Sequence, residues 1–144
     1  MSRTERDPVL LWLTALAVVL AIGHHVDHAV RGNHVGWPLS AEVNAFTFSL
    51  GIYPAIAIGL SLYLAGRVGP GFWAFLSGGG AAFLAFIHFG PQAIEPPGDI
   101  IGPHASPVVG WLAFAWLLAL VGVLLVSFAY ELRRWRAFRR DTSA

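Results

Sequence analysis

Four apolar stretches, at residues 9–30, 43–65, 72–89 and 108–130, decide what this chain can fold into. Each has about the 17–25 residues that a helix needs to cross a hydrocarbon core of about 30 Å. That core holds no water for backbone N–H and C=O groups, so each stretch must satisfy its own hydrogen bonds and is expected to be a helix. The connections, at 31–42, 66–71 and 90–107, are short, which makes sequential helices antiparallel neighbours. The fold class is therefore an all-α membrane protein, a four-helix up-down bundle. The whole chain, 1–144, forms one membrane domain, with 131–144 as a basic tail.

Composition closes off the soluble alternative. Only 12% of the residues are charged and 56% are hydrophobic, whereas a soluble domain carries about 25% charge. The chain has no cysteine, so disulfides and thiolate sites are excluded. It has no lysine, so Schiff-base chemistry with retinal or pyridoxal phosphate is excluded as well. A net charge of +1 with clustered charges gives no support to a nucleic-acid partner. The expected surroundings are the lipid bilayer of the cell membrane, with a homo-oligomer or a larger membrane complex as the possible assembly.

Arginine placement sets the orientation. Arg3 and Arg6 precede the first span, Arg67 lies between the second and third, and Arg133, Arg134, Arg136, Arg139 and Arg140 follow the fourth. Arg31 alone falls on the other side. By the positive-inside rule both termini are cytoplasmic and the first and third loops face outward. Trp12, Trp73 and Trp135 fit the inner interface, and Trp37 and Trp111 the outer one. The N-terminus also has the form of a secretory signal, with Ala21-Ile22-Gly23 as a cleavage site that would expose His24. The expectation is that the segment is kept as the first span.

In this frame all six histidines lie on the outer side: His24, His25 and His28 near the end of the first span, His34 in the first loop, His88 at the end of the third span, and His104 in the third loop. At 1.5 Å per residue, His24 lies roughly 22 Å from Val9 and His88 roughly 24 Å from Phe72. The two helices run in the same direction, so these histidines reach nearly the same depth, as a shared site requires. His24 and His28 sit about 40° apart around their helix, with Asp27 about 60° to the other side of His24. An i, i+4 histidine pair can bind one divalent metal. Asp27 is then a third ligand or an acceptor that fixes a histidine tautomer. Asp27 and Arg31 also stand at i, i+4 in the favourable order for an ordinary ion pair, which explains both without a metal.

The third loop holds five of the nine prolines, at 91, 96, 97, 103 and 107, and is expected to be a stiff, non-helical cap over the outer ends. It carries Glu95, Asp99 and His104 as further ligands. In the first loop Ser40 is a plausible N-cap for the second span, and Glu42 suits that helix start better than a ligand role. Pro54 is expected to kink the second span. Gly78-Gly79-Gly80 in the third is expected to serve close helix packing rather than to break the helix as in transporters.

These observations converge on a metal- or cofactor-binding membrane protein with its site at the outer end of the first and third spans, capped by the first and third loops. The expected metal ligands are His24, His28, His88, Asp27 and His104, and the metal is zinc, copper or iron. Asp27, Glu95 and Asp99 are the candidate bases if the site is catalytic. The alternative cofactor is haem b, held by His24 or His28 with His88 in an electron-transfer protein. A third alternative is a structural accessory subunit with no site chemistry. The single HHxxH box does not make the several-box set of membrane di-iron desaturases.

Overall fold

The computed structural model describes residues 7–31 and 43–141. His34, Trp37, Ser40 and Glu42, with Arg3 and Arg6, lie outside them. The described residues are helical and contain no strand: α1 is Pro8–Arg31, α2 Ala45–Ser49, α3 Ile52–Leu64, α4 Pro70–His88, α5 Pro97–Ile101 and α6 Pro107–Asp141. Four helical segments are long and apolar enough to cross a membrane: Pro8–Arg31, Ala45–Leu64, Pro70–His88 and Pro107–Arg140. The chain has the architecture of a multi-pass membrane protein.

Four of these helices begin where the sequence supplies a start. The Asp7 carboxylate accepts from the N–H groups of Val9 and Leu10, capping α1. Asn44 caps α2 through a reciprocal pair of bonds with Thr47. Pro70 and Pro107 occupy the first positions of α4 and α6, where the missing N–H costs nothing.

Two expectations are corrected. The second span is broken rather than kinked: Pro54 has no N–H for the Leu50 carbonyl, and the chain turns at Leu50–Gly51 between α2 and α3. Tyr53 N–H reaches the Leu50 carbonyl instead, at 3.2 Å. The third loop is not wholly non-helical, because Pro96 and Pro97 fall at the N-cap and first turn of α5, the positions that tolerate proline. The basic segment after residue 130 is helical as far as it is described. It continues α6 to Asp141, for 35 residues and roughly 50 Å, since Leu, Arg, Ala and Glu all favour helix and no glycine or proline intervenes.

α6 is the axis of the bundle, with α4, α1 and α5 as the elements packed most closely against it. α4 is unbroken through its glycine triplet. A Cβ on Gly78 would stand 2.8 Å from the Phe128 ring, so the absent side chain sets the α4–α6 spacing. On α1, Gly23 faces the Trp116 indole, whose Nε1 donates to the Leu20 carbonyl at 2.8 Å. The second span approaches this three-helix core less closely. The interior mixes polar groups with an apolar core: Asp7, Thr14, His24, Ser77, His88, Glu95, Ser127 and Glu131 are buried beside Leu10, Ile100, Leu117 and Leu120, while the apolar Trp12 and Phe75 are more than three-quarters exposed.

The end away from the histidines is clamped by Asp7. Its N–H donates to the Tyr63 hydroxyl at 3.0 Å, and its carboxylate accepts from the Tyr130 hydroxyl at 2.9 Å. Arg134 pairs with the same carboxylate at 3.3 Å. One aspartate thereby ties α1, α3 and α6.

Candidate metal centre

The site grows from the termination of two parallel helices. The last turns of α1 present His24 and His28, one turn apart, and α4 ends on His88. Their ring centroids are 4.7 Å apart for His24–His28, 5.2 Å for His24–His88 and 6.3 Å for His28–His88. One ligand nitrogen from each ring lies within 4.8 Å of the others. His24 and His88 are almost wholly buried, at 4% and 1% exposure. Three imidazoles converging from two helices can hold one metal ion and leave a fourth position open.

The α4–α6 connection folds back over this group. Glu95 N–H bonds to the Ile87 carbonyl at 3.0 Å, which draws the loop against the end of α4. The Glu95 backbone carbonyl accepts from His88 Nδ1 at 3.0 Å. That bond fixes the proton on Nδ1 and leaves the Nε2 lone pair as the ligand of a neutral His88. The Glu95 side chain is fully buried, with Oε2 at 3.3 Å from His28 Nε2 and 3.4 Å from His88 Nδ1. Its Oε1 receives Arg31 at 2.7 Å. Placing a carboxylate out of water costs several kcal/mol, and the buried guanidinium of Arg31 offsets it.

The remaining candidates fall around this core. Asp27 binds Arg31 at 2.6 Å, and its other oxygen lies 3.1 Å from His104 Nε2. Asp27 and His104 thus pair with each other beside the triad, and the expected Asp27–Arg31 ion pair is present. Asp99 enters through its backbone carbonyl, which accepts from Arg31 at 2.9 Å. His25 turns away from the triad toward the second span, where Tyr53 Oη and Ser49 Oγ each lie 2.7 Å from its ring nitrogens. The 100° per residue of a helix already points His25 away from His24, toward another helix or the headgroups. Its partners Tyr53 and Ser49 carry no local sequence signal and were not foreseen. The role of Arg31 toward Glu95 was also missed, because nothing periodic relates a helix end to a loop 64 residues later.

No known family, no curated protein and no solved structure matches the chain.

Below the triad a cavity of about 590 Å³ runs between the three-helix core and the second span. The triad borders it at one end and Ser77 and Glu131 at the other. These last two meet at 2.6 Å across α4 and α6, and both are buried.

Proposed function

We propose that this protein is a multi-pass cell-membrane protein that binds one transition-metal ion through His24, His28 and His88. The observation that carries the proposal is the convergence of three largely buried imidazoles, one ligand nitrogen of each within 4.8 Å of the others, from two helices distant in sequence. Ionisable side chains inside a membrane span are expensive and mark function, and imidazole suits zinc, copper and iron. Glu95, Arg31, Asp27 and His104 act around the ion rather than on it: Glu95 orients His88 and His28, and Arg31 holds Glu95. Three rings clustered this closely, with His24 edge to face against both His28 and His88, favour a single ion over haem, which needs room for a porphyrin between its two axial rings. The arginine distribution supports cytoplasmic termini and, with them, a centre at the extracytoplasmic end.

The chemistry such a centre supplies is Lewis-acid or redox chemistry at the open position, next to the Glu95 carboxylate and at the mouth of an apolar cavity. Metal analysis and an absorption spectrum of protein purified under metal-replete conditions test the assignment. The expected result is one zinc, copper or iron per chain, lost in His24→Ala, His28→Ala and His88→Ala. A Soret band would select haem instead. Absence of any bound metal would overturn the proposal and favour the structural accessory subunit.

A further inference from the structure

The cavity has a second polar end that the metal centre does not use. Trp73, Ser77 and Glu131 line it, and all three are buried. Trp73 and Ser77 are one turn apart on α4 and so share a face. The Ser77 hydroxyl reaches Glu131 Oε2 at 2.6 Å and the Trp73 carbonyl at 2.8 Å. The indole Nε1–H of Trp73, a residue only 2% exposed, has no acceptor among the described residues. A buried donor left unmade costs about 1–3 kcal/mol, so a partner for it is a substantial gain.

Two glycines of α4 leave open space along the cavity wall. A Cβ on Gly79 would meet nothing within 4 Å, and on Gly80 only Leu124 in ordinary contact. Both glycines line the cavity, whose walls are otherwise mostly apolar. Its rim includes Phe48 and Phe75, at 66% and 78% exposure, so it borders the outer, lipid-facing surface between the second span and α4. Its volume lies within the roughly 300–1,000 Å³ of small-molecule sites.

We propose that this cavity binds a neutral lipophilic alcohol drawn from the bilayer, with its hydroxyl seated between Trp73 Nε1 and Glu131. The donor pattern selects that class. Trp73 offers a proton and needs an acceptor, while the Glu131 carboxylate oxygens accept. A hydroxyl does both at once. An ammonium has no acceptor for the indole, a fatty-acid carboxylate brings no proton for the Glu131 oxygens, and a bare hydrocarbon leaves the indole unpaired. The proposal does not depend on a metal at the histidines.

The test uses full-length protein in phosphatidylcholine nanodiscs and a photoactivatable diazirine analogue of hexadecanol. Saturable labelling is expected on α4 and the second span, displaced by unlabelled hexadecanol and at least tenfold less well by palmitate, hexadecylamine or hexadecane. Gly79→Leu fills the cavity from a position with free space and should abolish labelling while leaving the circular dichroism unchanged. Trp73→Phe removes only the indole N–H and part of the ring, and should weaken displacement by hexadecanol about tenfold, the worth of one hydrogen bond to a buried group. Labelling that survives Gly79→Leu, or displacement by palmitate as strong as by hexadecanol, would overturn the proposal.

Discussion

Glu95 meets His88 twice: its backbone carbonyl accepts from Nδ1 at 3.0 Å, and its carboxylate oxygen lies 3.4 Å from the same nitrogen. The loop after α4 is thereby fastened to the histidine that ends α4. The backbone contact persists whatever the side chain, so Glu95→Gln isolates the carboxylate. The expected outcome is a loss of metal affinity of about 10- to 100-fold, the usual effect of removing a group that orients a ligand. Titration with a chelator-buffered metal checks it, and unchanged affinity would separate Glu95 from the centre.

Arg31 is the counter-charge that makes a buried Glu95 tolerable. Arg31→Ala leaves that carboxylate without its guanidinium and should destabilise the histidine end by about 3–5 kcal/mol. Arg31→Met, with similar volume and no charge, should be as damaging, whereas the double change Arg31→Met with Glu95→Gln should recover a large part of the loss. Thermal unfolding of the three variants in one detergent decides it. Equal melting temperatures for the single and double variants would mean that the pair is not coupled.

The neighbouring glycines of α4 make a contrasted pair. A methyl group on Gly78 would collide with the Phe128 ring at 2.8 Å, so Gly78→Ala should cost about 1–3 kcal/mol through overpacking. Gly79→Ala meets open space and should gain about 0.5–1 kcal/mol from helix propensity alone. Opposite shifts in melting temperature are the expected readout.

How much of this was legible in advance depends on the kind of information involved. The four spans follow from apolar length, and the shared depth of His24 and His88 follows from a constant helix rise, so both were open to a linear reading. The ion pair of Asp27 with Arg31 was equally accessible, because i, i+4 spacing is local. Glu95 belongs to a segment with no periodicity, and only the bond from its N–H to the Ile87 carbonyl brings it over the triad. The prolines at 96 and 97 read as helix breakers when counted and as helix starters once their positions are known. Charge ended the fourth span in hydropathy but not in backbone conformation, so α6 runs on past Tyr130. The Ser77–Glu131 pair joins residues 54 apart across two helices, and no local pattern announces it.

Asp7 holds the opposite end of the molecule together by capping α1 and meeting Tyr63, Tyr130 and Arg134. Asp7→Ala removes the cap and the acceptor for Tyr130 in one step, a loss of about 2 kcal/mol or more. Asp7→Asn keeps the capping oxygen and should lose less. Because this clamp lies at the far end from the histidines, both variants should melt earlier yet bind metal with unchanged stoichiometry once folded. Metal loss in folded Asp7→Asn would mean that the two ends are coupled.

His24 and His25 are adjacent in sequence and serve different partners, which gives the sharpest test of the site. His24 lies 4.7 Å and 5.2 Å from the rings of His28 and His88. His25 instead holds the second span through Tyr53 and Ser49. His24→Ala should therefore abolish stoichiometric metal binding with a modest change in stability. His25→Ala should leave one metal per chain and loosen the second span, read as faster hydrogen exchange in α2 and α3. Any histidine-rich surface that collects metal nonspecifically would lose similar amounts of metal in both variants. Equal loss would remove the grounds for assigning the centre to His24, His28 and His88.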